Sequence, residues 1–168
     1  PFALCHVDLD NFKPFVDKYG YAWGSELIKE VANILENRVD NVHDDDVFIG
    51  HIGGDDFVIV AEPEKAHKIS QQLVREFAPS LCSFYSEQDR ENGFIIGKDR
   101  KGSVLKFPLI TVTIAIVNSD DMHFANPLAM AKKAAQIKEY GKTLSGSNFV
   151  TMIDYKKIQQ EKRSNESV

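Results

Sequence analysis

Two pairs of carboxylates are spaced so that they could hold a hard divalent cation against phosphate oxygens. Asp55 and Asp56 follow Gly53 and Gly54 between apolar runs at 47–52 and 57–61, which read as paired strands joined by a glycine turn. Asp8 and Asp10 end another apolar run, and because side chains along a strand alternate with period two they share one face. A hairpin tip with two acids beside a strand end with two more is an oxygen-rich pocket of the kind that holds Mg²⁺. Gly and Asp also build tight turns for purely local reasons, so the second acidic pair carries the inference. Asp10 taken alone reads as the cap of the helix that follows it.

Around these acids the elements alternate in type. Residues 2–9 read as a buried central strand. Residues 11–19 read as a short helix that tolerates Pro14 in its first turn and closes at Gly20. From 22 to 39, Leu27, Ile28, Val31, Ile34 and Leu35 recur at helical spacing. A polar connection at 41–46 leads into the acidic hairpin. Pro63 opens another amphipathic helix, with Ala66, Ile69, Leu73, Val74 and Phe77 inward and Pro79 at its end. Residues 86–106 read as a projecting hairpin and 109–117 as a strand. A helix over 126–142, a last strand over 149–153 and a tail from Asp154 that frays or forms a loose helix complete the chain. The order β, α, α, β, β, α, β, α, β predicts an α/β sandwich of the α+β kind, with helices covering a mixed, largely antiparallel central sheet.

The 168 residues are 43% hydrophobic and 27% charged, enough for one domain with an ample core. A net charge of -5, with Lys and Arg scattered, argues against a broad nucleic-acid surface but leaves nucleotides open, since a metal can carry the phosphate charge. Cys5 and Cys82 have no zinc spacing and read as reduced thiols of a cytoplasmic protein. No signal peptide or membrane-spanning run is present in the sequence. The chain starts at Pro1 directly before a strand, so an upstream sensory or regulatory domain is expected in a longer protein.

VDLDNFKPFVDKYGYAWGSELIKEVANIL, then HIGGDDF, then KEYGK, together resemble the GGDEF domain of bacterial diguanylate cyclases, with a variant GGDDF motif. The resemblance covers roughly residues 2–153, implying a GGDEF domain over 1–153, a tail over 154–168 and a palm-like nucleotidyl cyclase fold. In active members two GTP molecules sit on facing domains, and the 3′-hydroxyl of each attacks the α-phosphate of the other to give cyclic di-GMP. The resemblance implies Mg²⁺, two per active site, held by Asp8, the Leu9 carbonyl and Asp55, with Asp55 and Asp56 as the catalytic acids. It places the phosphates at Gly53, Gly54, the amides of Asn11, Phe12 and Lys13 at a helix start, and the Lys13 side chain. Lys138 and Lys142 match a segment that grips the triphosphate, with Lys where the family has Arg, which keeps the charge but loses the bidentate fork.

The same resemblance exposes departures. The family reads guanine with Asn and Asp at the positions of Val16 and Ser25; a valine offers no hydrogen bond and a serine only a short hydroxyl. Unpaired polar edges cost ~1 to 3 kcal/mol each, so losing both contacts weakens selection for GTP. Asp56 is one carbon shorter than the family's Glu. The product-binding RxxD is replaced by Asp44, Asp45, Asp46 and Val47, an acidic stretch that would repel a cyclic dinucleotide and reads as a solvated loop, with His43 beside it offering at most incidental cation binding. The expected function is a GGDEF domain of a cyclic di-GMP type signalling protein that is weak or inactive as a cyclase and acts as a regulatory or nucleotide-binding module. It would bind GTP or another purine nucleotide such as ATP weakly, and a homodimer is compatible with this. The alternative is an active diguanylate cyclase.

Overall fold

The computed structural model describes residues 1–40, 46–98 and 102–165. Strand β1 (Ala3–Asp10) leads into helices α1 (Phe12–Tyr19) and α2 (Tyr21–Asp40), then the hairpin of β2 (Phe48–Gly53) and β3 (Asp56–Ala61). Helix α3 (Pro63–Ser80), a short α4 (Glu87–Asn92), β4 (Phe94–Lys98) and β5 (Val104–Pro108) follow. The chain continues through β6 (Thr111–Asn118), α5 (Pro127–Gly141), β7 (Asn148–Thr151) and α6 (Met152–Asn165). Five strands form one sheet in the order β2-β3-β1-β6-β7, with β1 at its centre as the apolar run predicted. All pairings in it are antiparallel except β6 with β7, so the expected α/β sandwich over a largely antiparallel sheet is what the chain forms.

The alternation along β1 assigns its two faces. Ala3, Cys5, Val7 and Leu9 enter the larger core with Phe57, Ile59, Ile114, and the apolar faces of α1, α2 and α3, represented by Phe15, Leu27, Leu35, Leu73 and Phe77. Burial of these side chains, each of the order of 1.5 to 3 kcal/mol, is what holds the helices on the sheet. The opposite face carries α5, whose Met130, Ala134 and Ile137 pack on Ala115, Val117 and Val150. His6, Asp8 and Asp10 fall on this α5 side, so the strand pattern itself delivers the carboxylates to the helix that bears Lys138 and Lys142.

Four local expectations are corrected. Asp10 does not cap α1: its Oδ2 accepts hydrogen bonds from the Thr111 and Thr113 hydroxyls, both 2.9 Å, because β6 lies beside it. The N-cap is Asn11 in the left-handed region at φ 63, without a side-chain bond. Residues 86–106 begin not as hairpin but as α4, since the Ser86 hydroxyl accepts from the Asp89 amide and Gly93 closes the helix at φ 71; the hairpin of β4 and β5 comes after it. The helix over Pro63 runs one residue past Pro79. The last strand stops at Thr151, where Thr151 and Asp154 cap each other, Oγ1 to Oδ2 at 2.6 Å, and start α6. Met152 and, within the segment from Asp154, Tyr155 then pack on the smaller core. Among the acidic stretch at 44–46, only the exposed Asp46 belongs to the described residues; Asp44, Asp45 and His43 lie outside them.

Candidate functional site

Register brings the acids together. Asp8 lies across from Asp56 on β3 and from Thr113 on β6. The β2–β3 turn needs Gly53 at φ 146 and Gly54 at φ 59, conformations that a side chain would strain, and this turn presents Asp55. Above the sheet, α5 comes close because Gly141 has no side chain: a Cβ there would meet Thr113 Cγ2 at 2.6 Å. Spacing of one helical turn then places Lys138 and Lys142 over the same carboxylate. Lys138 Nζ donates to Asp8 Oδ2 at 2.9 Å and to Asp56 Oδ1 at 2.8 Å. Lys142 Nζ forms an ion pair with the other Asp8 oxygen, 2.6 Å from Asp8 Oδ1.

Sequence reasoning passed over His6, although the period-two face that joins Asp8 to Asp10 also contains it. Its Nε2 is 2.8 Å from Asp56 Oδ1 and 3.3 Å from Lys138 Nζ. Thr111 and Thr113, which hold Asp10, were also missed, because only the β1–β6 pairing puts them there.

The electrostatics follow from burial opposed by pairing. Asp8 is 3% exposed, and burial raises its carboxyl above the ordinary range despite Lys142 and Lys138. Burial also pushes up Asp56, but hydrogen bonds from Lys138 and His6 outweigh it and hold the carboxyl at about 2. Asp10 is raised, chiefly by burial. Lys138, 8% exposed, is kept protonated by Asp56 and Asp8 although burial opposes the charge. Asp55 adds an acid near Asp10.

Two divalent cations do not fit this arrangement as it stands. Both Asp8 oxygens face ammonium groups, Asp56 Oδ1 is shared between Lys138 and His6, and Asp10 Oδ2 takes two threonine hydroxyls. Among the described residues no three His, Cys, Asp or Glu side chains converge as metal ligands. The hard oxygens themselves suit Mg²⁺, but a cation at Asp8 competes with a lysine already there.

Two cavities flank the cluster. One of about 620 Å³ is lined by Asp10, Asn11, Thr111, Lys142, Ser145 and Gly146, with the uncapped start of α1 at its edge. Lys13 is turned away into an exposed pair with Asp17 at 2.8 Å. The other, about 380 Å³, gathers Phe12, Val16, Ser25 and Gly54 with Gly24, Ile28, His51 and Tyr21. The Ser25 hydroxyl donates to the Tyr21 carbonyl at 3.1 Å, and Val16 packs over Gly24. His51 stacks on Phe57 with ring centroids 4.5 Å apart; the sequence did not single out His51 or Tyr21, which reach this cavity only through the α1–α2 and β2–β3 turns.

No helix among the described residues is long and apolar enough to cross a membrane. Similar proteins point one way. A diguanylate cyclase of Vibrio cholerae is 31% identical over 81 residues, covering 46% of this chain and 24% of that protein. The diguanylate cyclase DgcS of Shewanella oneidensis is 38% identical over 60 residues, 36% of this chain and 19% of that one. The chain thus spans about a quarter or less of the length of these two relatives. In three dimensions, the active GGEEF domain of a diguanylate cyclase from Vibrio cholerae matches with a TM-score of 0.58 at 19% identity, covering 89% of this chain and 81% of that one. The GGDEF domain of YfiN from Pseudomonas aeruginosa matches with a TM-score of 0.59 at 18% identity, covering 94% and 81%. At such identities these two establish the fold. The family model "Diguanylate cyclase, GGDEF domain" matches residues 1–95, more than half of the sequence, and with the central carboxylate strand and the glycine hairpin inside that match, this chain belongs to the GGDEF family.

Proposed function

We propose that this GGDEF domain is a regulatory, nucleotide-binding module that is weak or inactive as a diguanylate cyclase. The observation that carries the reading is the lining of the smaller cavity. Where the family would read guanine, Val16 is apolar and the Ser25 hydroxyl is already bonded to the Tyr21 carbonyl. A polar base edge entering there loses its water without gaining partners, which costs ~1 to 3 kcal/mol for each unpaired group. Asp56, shorter than a glutamate and tied to His6 and Lys138, is poorly placed to receive a proton from an attacking hydroxyl.

What favours nucleotide binding is the phosphate side: open amides at the start of α1, and Lys142 on the wall of the larger cavity. A nucleoside triphosphate with Mg²⁺ would offer oxygens that Lys142, the more exposed of the two lysines, can bond in exchange for Asp8. The metal would then find Asp8, Asp55 and the Leu9 carbonyl as its protein ligands, and it would supply charge neutralisation at the phosphates. Asp55, Gly53 and Gly54 would face the phosphates from the hairpin tip. The domain would act in the cytoplasm under an upstream sensory or regulatory segment, with no nucleic-acid partner, and cyclase chemistry would further require a second copy facing it.

Calorimetric titration of the purified chain with GTP, ATP and cyclic di-GMP in Mg²⁺, alongside a turnover assay, tests this. The expected result is weak triphosphate binding with little preference between GTP and ATP, and negligible cyclic di-GMP formation. Turnover in the usual enzyme range, ~1 s⁻¹ or more, would overturn it in favour of an active cyclase.

A further inference from the structure

We propose that the Lys138 ammonium, held between Asp8 and Asp56, is a built-in counter-cation that takes the place of a second metal, so that this domain binds a triphosphate with one divalent cation instead of two. The proposal rests on the nucleotide-binding reading above for its ligand, and on the cluster's own geometry for the rest.

A bridging cation needs one oxygen from each carboxylate and a place between them. Lys138 Nζ has both, at 2.9 Å from Asp8 Oδ2 and 2.8 Å from Asp56 Oδ1, and it is almost fully buried. His6, 2.8 Å from the same Asp56 oxygen, holds that carboxylate in the clamp from the far side. The lysine's backbone has little room to retreat. Ile137 beside it is fully buried, and Gly141 one turn later touches β6 so closely that a Cβ would meet Thr113 at 2.6 Å. Asn148 also donates to the Gly141 carbonyl at 3.2 Å, fixing the end of the helix. Withdrawing the ammonium would strand two partly or wholly buried carboxylates, whereas leaving it costs nothing further.

The ion pairs give the same answer: Asp8 is paired with both Lys138 and Lys142, and Asp56 with Lys138, so these two carboxylates already have cationic partners. Lys142 is the more exposed of the two lysines and reaches the larger cavity, so it is the one free to exchange Asp8 for phosphate oxygens.

The experiment counts bound Mn²⁺ by the loss of its free electron paramagnetic resonance signal. With Mn²⁺ alone, Lys138→Met should bind the ion at least about tenfold more tightly than the wild type, since a buried positive charge is gone. Asp56→Asn in that background should remove the gain. Lys138→Arg should resemble the wild type. Lys138→Gln, which keeps a hydrogen-bonding group but no charge, serves if the methionine variant does not fold. With a non-hydrolysable GTP analogue the wild type should take up one Mn²⁺ per chain. Unchanged Mn²⁺ affinity in both neutral variants, or two Mn²⁺ per wild-type chain, would overturn the proposal. Absence of analogue binding would instead defeat the nucleotide reading, and the comparison in Mn²⁺ alone would still decide the role of Lys138.

Discussion

On the proposed reading of the smaller cavity as the base site, Val16→Asn with Ser25→Asp should convert weak, unselective binding into GTP binding. Val16 packs directly on Gly24 where both line the smaller cavity, its Cγ2 at 2.7 Å from where a Gly24 Cβ would lie, and Asn is close to Val in volume, so the exchange asks little of the packing. At position 25, an ionised Asp cannot donate to the Tyr21 carbonyl as the Ser hydroxyl does at 3.1 Å, so its carboxylate is released toward the cavity. A hydrogen bond from the Asn amide contributes about 1 kcal/mol, and a charge-assisted pair from guanine to the carboxylate about 2 kcal/mol at this exposed position. Together, about 3 kcal/mol corresponds to roughly a 150-fold lower Kd for GTP. ATP should gain nothing, because its ring nitrogen in the equivalent place is an acceptor facing a carboxylate. Calorimetry with both nucleotides in Mg²⁺ measures the difference. A gain below about fivefold in a folded double variant, or an equal gain for ATP, would refute the assignment of this cavity to the base. Adding Asp56→Glu then asks whether turnover follows binding; failure of the folded triple variant would place the remaining defect in how two domains face each other.

Asp55→Ala should abolish Mg²⁺-dependent triphosphate binding with little effect on melting, since the side chain stands at the hairpin tip; unchanged affinity in a titration would move the metal elsewhere. Gly141→Ala should destabilise the fold by about 1 to 3 kcal/mol in urea unfolding, because its Cβ would clash with Thr113 and push α5 off the sheet; neutrality would mean the lysine clamp has slack. Tyr85 is buried with its hydroxyl accepting from the Ile110 amide, and burial pushes its ionisation up from 10.0 to about 12. A folded value above the unfolded one gives stability that is intact below pH 10 and lost as pH rises toward 12, by no more than about 3 kcal/mol. Tyr85→Phe should flatten that alkaline slope in unfolding experiments, at the cost of an unpaired amide of about 1 to 3 kcal/mol.

Much of the fold was legible because it is written in local patterns. The period-two run ending in Asp8 and Asp10, the helical spacing of Leu27 to Leu35 and the Gly53–Gly54 turn each fix an element through nearest-neighbour chemistry, and their order implies the antiparallel sheet. Local patterns also misled where two short-range choices competed. Thr151 and Asp154 could extend a strand or cap a helix, and reciprocal hydrogen bonding decided for the helix. Asp10 had the composition of a cap but sits beside β6, and two threonines 101 and 103 residues away claimed it. The site divides in the same way. The sequence by itself determined which acids and lysines are present, and that Val16 and Ser25 bring only one short hydroxyl between them for hydrogen bonding. Only the tertiary structure decided that Lys138 enters between Asp8 and Asp56 and that His6 closes the clamp, since residues 130 and 82 positions apart meet through sheet register and a glycine contact that no local pattern encodes.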